Sequence, residues 1–331
     1  GVSMISATQI QELIENDGYP AMFESYDREP PLYPQIAEII DTSDAGAPLY
    51  GDKLTVMRGV DVFQELEDGN DPEDSTLGKA YTAQAKIRTF SRRIRIPRRV
   101  LAANRLGEVK ASLIEAANEW GELSRLQKDD FVAGMFQKGT LTAGSTQFFD
   151  NSYINNTDPN AGFIYDGLPW FDTAHTIGGS SSTFANHVVS SALTEANLET
   201  HLETMTTTNA VDDRGNRIVV RPTHLIVPGG LNFTAQKILR SVQLPGSANN
   251  DINPLQGLLI PVKWAALTDS ASSAAYFIIE AGKGLRCYDS GAPVLEQYRH
   301  MNGDVSIIAT YTFGATVTDW RRHFCANKAA S

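Results

Sequence analysis

The stretch from Tyr81 to Pro97 reads YTAQAKIRTFSRRIRIP. Tyr81, Ala83, Ala85 and Ile87 alternate with polar residues, the period of a strand with one covered face. The alternation then slips by one, and Phe90, Ile94 and Ile96 carry the apolar side. Such a slip predicts a bulge or bend within one long strand. Upstream, LTVMRGVDVFQEL (54–66) is a second strand-like run. Between the two, Glu65, Glu67, Asp68, Asp71, Glu73 and Asp74 are six acids with no base among them. The whole reads as a long two-stranded arm with an acidic tip. An isolated hairpin is only marginally stable in water, so this one must lean on something.

The charge then reverses. Arg92, Arg93, Arg95, Arg98, Arg99 and Arg105 follow with no acid between them. An extended hairpin holds its tip away from its base, so the two blocks stay apart within one chain. Between neighbouring copies, the acidic tip of one reaches the basic base of the next. Arginine suits such a contact because it pairs with carboxylates in a bidentate way. Two alternatives stay open: unrelated solvated faces, or arginines facing the phosphates of a nucleic acid.

The 331 residues carry a net charge of −11, with 42% hydrophobic and 20% charged residues. That length predicts about two domains. The excess of acid argues against a protein whose whole surface grips nucleic acid. No apolar run approaches the roughly 20 residues needed to cross a bilayer. The opening GVSMISATQIQELIEN has neither the basic start nor the apolar centre of a secretory signal. Cys287 and Cys325 form no CxxC and read as buried free thiols.

Asn104 to Lys138 carries the strongest helical period, with Val109, Leu113, Ala117, Trp120, Leu123, Gln127, Phe131 and Met135 on one face. Asn104 is the expected N-cap and Gly139 the expected stop. Before the hairpin, a short amphipathic helix bears Ile10, Leu13 and Ile14. Pro30, Pro31 and Pro34 then favour an extended path whose backbone must find partners elsewhere, in this chain or another. Residues 140–190 read as loops anchored by Trp170 and Phe171. Thr194 caps a further helix, and from Ile218 strands and helices alternate as a compact α/β unit.

Catalytic patterns are missing. HLIVPGGLNFTAQKILRS (224–241) has the strand, glycine turn and helix of a nucleotide loop, but neither GxxxxGK[ST] nor GxGxxG. The six histidines show no metal-binding spacing, and there is no GxSxG elbow.

The order of parts resembles that of tailed-bacteriophage major capsid proteins of the Hong Kong 97 fold. Those parts are an N-terminal arm (1–50), an extended β-hairpin or E-loop (51–98) and a peripheral domain (99–215) with a spine helix (104–138). An axial α/β domain (216–304) and a C-terminal strand (305–331) returning to the peripheral domain complete them. GLPWFDTAH (167–175), RPTHLIVPGGLNFTAQKIL (221–239), NPLQGLLIPV (253–262) and YTFGATVTDWRRHF (311–324) are similar to segments of the Mu-like major head subunit group. The resemblance implies an α+β shell protein rather than an enzyme, with no cofactor, no metal and no membrane. Its pentamers and hexamers would close into an icosahedral head around double-stranded DNA, bound without sequence specificity, in the bacterial host cytoplasm. Scaffold, portal, maturation protease and decoration proteins are the further partners implied. Pro228, Gly229 and Gly230 become a turn of the axial domain. An encapsulin-type nanocompartment, which shares the fold and houses a cargo enzyme, is the alternative.

Overall fold

A computed structural model describes residues 4–28, 30–44, 46–48, 51–57, 61–75, 79–140, 164, 166–177, 181–244, 246–249, 251–267 and 275–329, with the backbone alone at 51–57, 79–84 and 86. Most of the loop-rich stretch expected over 140–190 lies outside these residues, as do 58–60 and 76–78 of the hairpin.

The chain starts with helix α1 (Ala7–Leu13), a wider π turn and helix α2 (Tyr19–Asp27). Ser6 and Gln9 close a capping box on α1. A short α3 (Tyr33–Ile36) leads into strand β1 (Glu38–Asp41), which pairs in parallel with β11 (below). The extended path expected after Pro30 is therefore brief, and its partners belong to the same chain. Ile10, Ile14 and Met22 bury against Val109, Leu113 and Leu295.

Strands β2 (Gly51–Met57) and β3 (Lys79–Lys86) form the hairpin, and β4 (Arg88–Ile96) continues from it. The slip read from the sequence falls on Ile87, which is buried with Ala85 and Tyr288. There the chain leaves the hairpin and enters another sheet. The hairpin is shorter than expected: from Asp61 to Ser75 no residue is in a strand, and a turn falls at Asp68 and Gly69. Like charges and Pro72 disfavour a ladder in this segment.

Helix α4 (Arg98–Ala102) joins through Asn104 to the long α5 (Leu106–Gln137). Asn104 does not cap α5. It sits at φ +54°, turning the chain between the helices, and Arg105 is the N-cap. Gly139 follows the C-cap Lys138 where the stop was expected, without a positive φ. A Cβ there would lie 2.6 Å from the Phe171 ring, so close packing sets its identity. The buried stripe of α5 also differs from the hydrophobic period. Gly121, Ser124 and Lys128 are buried, while Leu123 is 56% exposed. A Cβ on Gly121 would meet Met22 O at 2.5 Å, so glycine lets α2 lie directly on α5.

Short strands β5 (His175–Thr176), β6 (Thr183–Phe184) and β7 (His187–Val188) precede α6 (Glu195–Glu203), capped by Thr194. Strand β8 (His224–Val227), α7 (Asn232–Arg240) and β9 (Ile260–Lys263) form a parallel crossover, and β10 (Tyr276–Ile279) follows. Strands β11 (Leu285–Asp289), β12 (Val294–Arg299), β13 (Val305–Val317) and β14 (His323–Ala326) complete the fold. One sheet runs β1-β11-β13-β12, with β4 also on β13, and the other runs β7-β14-β10-β8-β9. Residues 305–326 thus serve both sheets, β13 in the first and β14 in the second.

The two sheets meet α5 around aromatic packing. The Phe136 ring lies 4.6 Å from Trp170, 5.1 Å from Phe277 and 5.4 Å from Trp264. Nearby, the Lys128 ammonium is fully buried and donates to Asp289 Oδ1 (2.6 Å), Gly291 O (2.7 Å) and the Tyr26 hydroxyl (2.9 Å). The Tyr33 hydroxyl donates to Asp289 Oδ2 at 2.6 Å. Burial and the neighbouring carboxylate push the Tyr33 hydroxyl far above the ordinary phenol range.

Removing one member of a buried pair strands the other charge. Lys128→Met should therefore lower stability by about 3–5 kcal/mol in urea unfolding of free subunits, and Tyr33→Phe by about 1 kcal/mol. An unchanged midpoint for Lys128→Met would refute the role given to the pair. Burial also holds the His201 and His323 imidazoles neutral, pulling each down to about 4, well below the ordinary imidazole range. The unfolded chain takes up those protons first, so stability is full above about pH 6.5 and falls as pH drops from there towards about 4. Urea midpoints measured between pH 7 and pH 5, above most carboxylate titration, should fall steadily.

Candidate assembly interface

Strand β4 is held to β13 along its whole length, from Arg88 opposite Phe313 to Ile96 opposite Val305. Its alternation puts Phe90, Arg92, Ile94 and Ile96 on one face and Ser91, Arg93 and Arg95 on the other. The arginines then divide by use. Arg95 Nε donates to Asp304 Oδ2 at 2.8 Å, and the Arg98 backbone N–H donates to Asp304 Oδ1 at 2.8 Å. The latter bond lowers the Asp304 carboxyl below its usual range. Arg95 is thus engaged within its own chain, which the sequence did not signal. Arg92, Arg93, Arg98 and Arg99 are exposed and make no ion pair among the described residues.

The acidic segment is exposed throughout. Asp61 pairs with Arg214, and its backbone N–H donates to the Ser75 hydroxyl, which closes the neck of the loop. Beyond the neck, Glu65, Glu67, Asp68, Asp71, Glu73 and Asp74 make no ion pair among the described residues. Val62, Phe63 and Leu66 stand exposed beside them, Phe63 fully so. The structure does not join these acids to the arginines within one chain.

Beside the arginines, β4 and α5 enclose a groove of about 810 Å³, with Phe90, Ile94, Trp120, Leu123 and Leu126 on its walls and Arg92 and Arg93 at its border. Leu126 is 48% exposed. Leu123 belongs to the apolar period of the helix and Leu126 does not, yet both border the groove, because small and polar residues (Gly121, Ser124, Lys128) take the buried face.

Pro228, Gly229 and Gly230 form the turn from β8 into α7. Neither glycine has a positive φ, and a Cβ would meet nothing near Gly230 and only the Lys263 side chain, at 3.5 Å, near Gly229. This is an ordinary strand-to-helix turn.

Two pairs have the outline of catalytic groups. Ser191 Oγ lies 2.8 Å from His201 Nε2, and His175 Nδ1 lies 2.6 Å from Asp166 Oδ2. Both sit in packed interior, with His201 stacked on Phe324 and His175 on Trp320. The first fastens a loop to α6 and the second a loop to β5. Among the described residues, no group of histidine, cysteine and carboxylate side chains is placed to hold a metal ion, and no helix is long and apolar enough to cross a membrane. Cys287 and Cys325 are buried and free, their thiols pushed up by burial.

A family profile described as phage capsid protein matches residues 80–324, well over half of the chain. Comparison with curated protein sequences finds no match. Among solved structures, the capsid of cyanophage P-SCSP1u is 12% identical, covering 92% of this chain and 89% of that one, with a TM-score of 0.49. The capsid of Ralstonia phage GP4 is 13% identical, covering 85% and 82%, with a TM-score of 0.48. The bacteriophage JBD30 capsid is 16% identical, covering 80% and 100%, with a TM-score of 0.48. These are distant likenesses, and the assignment rests on the family match. The chain belongs to the phage capsid protein family, an α+β subunit whose place is the virion capsid.

Proposed function

We propose that the chain is the major head protein of a tailed phage of the Mu-like group. Many copies, arranged as pentamers and hexamers, close into an icosahedral shell around double-stranded DNA held without sequence specificity. Assembly takes place in the bacterial host cytoplasm, with scaffold, portal, maturation protease and decoration proteins as accessory partners. In this reading residues 1–50 serve as the arm, 51–98 as the extended loop, 99–215 as the peripheral part, 216–304 as the axial part and 305–331 as the closing strand.

The observation that carries it is the self-complementarity of one chain. Among the described residues, six acids on an exposed loop make no ion pair in their own subunit, and neither do the exposed arginines at the loop's base. A second copy supplies both. The acids of one tip pair with Arg92, Arg93, Arg98 and Arg99 of the next copy, and Val62, Phe63 and Leu66 enter the groove beside Leu123 and Leu126. Repetition of one modest contact around a closed shell makes a durable particle.

Electron microscopy of the purified chain should show closed shells of uniform diameter. The double variant Arg92→Glu, Arg93→Glu should stay folded by circular dichroism and lose at least about tenfold in particle yield, as expected for like charges facing across a contact. Normal assembly of that variant would refute the docking, and a wild-type chain that stays monomeric under all conditions would refute the shell. Limited proteolysis gives an independent check. Cleavage within 61–75 should be fast in free subunits and suppressed in particles, and equal rates in both would remove the loop from the interface.

A further inference from the structure

A second concavity lies on the far side of Leu126, where α2, α5 and the exit of β9 converge on a space of about 360 Å³. Three cations border it, one from each element or its end: Arg28, Arg125 and Lys263. None of the three forms an ion pair among the described residues. The Arg125 guanidinium lies over the Tyr26 ring, 4.3 Å from its centroid, which fixes the plane of the fork. Its Nε is buried and has no hydrogen-bond partner among the described residues.

Two carboxylates share the walls, and neither satisfies that fork. Asp129 is committed elsewhere: Oδ1 accepts the backbone N–H groups of Leu32 and Tyr33, each at 3.1 Å, and Oδ2 accepts Trp264 Nε1 at 2.9 Å. Glu122 is exposed and makes no ion pair among the described residues. A buried donor without an acceptor is costly, and a guanidinium fork matches a planar or tetrahedral oxyanion in shape and charge.

We propose that this pocket is an oxyanion-binding site, in which one carboxylate or phosphate group sits between Arg125, Arg28 and Lys263. The occupant bridges the N-terminal helices, the long helix and the α/β sheet, so binding stabilises their arrangement. The site is separate from the groove beside β4, and the proposal stands whether or not the hairpin docks there.

The test is calorimetric titration of the purified full chain with sodium phosphate and with sodium acetate, against sodium chloride at matched ionic strength. A saturable heat is expected for at least one oxyanion and none for chloride. Arg125→Gln should weaken binding by about tenfold or more, the scale of a lost charge-assisted hydrogen bond. Because Arg125 also packs on Tyr26, the exposed Lys263→Gln is the second variant, with a several-fold loss expected and an unchanged melting temperature without ligand. Binding of phosphate to free subunits but not to assembled shells would identify a neighbouring chain's carboxylate as the resident group, and binding to both would identify a free anion. Equal heats for chloride and both oxyanions, or full affinity in both variants, would overturn the proposal.

Discussion

A lysine and an aspartate withdrawn from water work against folding unless every charge and donor is met. At Lys128 and Asp289 they are met. The ammonium has three protons and three acceptors, from β11, from the turn after it and from α2. The carboxylate accepts in addition from Tyr33 and from the Gly291 backbone. Four separate parts of the chain thus meet at one buried charge pair: the helices at the start, the approach to β1, the middle of α5 and the end of β11. Apolar packing alone would allow these parts to slide, because it has no direction. The ion pair and its hydroxyls fix their register.

From that point the architecture follows by pairing. Strand β13 collects β11, β12 and β4, and β4 in turn carries the hairpin. Asp319 and Glu280 hold Arg321 and Arg322 at the passage from β13 to β14, where the chain crosses from one sheet to the other. The hairpin is therefore attached through covalent and sheet continuity to the most heavily paired strand of the molecule. Its acidic loop, by contrast, is tied to the body by the Asp61–Arg214 pair at its neck.

Much of this was legible in the residues. The phase slip at Ile87 marks a strand that changes partners, and the capping threonine at 194 and the aromatic anchors at 170 and 171 lie where their chemistry placed them. What stayed hidden was set by tertiary contact. Gly121 and Lys128 look like poor core residues until α2 and Asp289 are brought to them. Asn104 looks like a cap until the short helix before it is seen. Arg95 cannot be separated from Arg92 and Arg93 by composition, because Asp304 lies more than two hundred residues away. The electrostatic pattern was visible as a pattern, while the apolar groove beside it depended on which face of α5 the fold had already used.

The pairing scheme also imposes an order in time. Strands β13 and β14 are synthesised after every strand they join, yet each lies inside its sheet rather than at an edge. Until residues 305–326 emerge from the ribosome, β4 lacks the strand it pairs with, and β7 is not joined to β10. Before then neither sheet can close, and folding must wait on contacts between residues far apart in sequence, which are slow to form. A nascent chain therefore carries β4 without its ladder until β13, made more than two hundred residues later, reaches it.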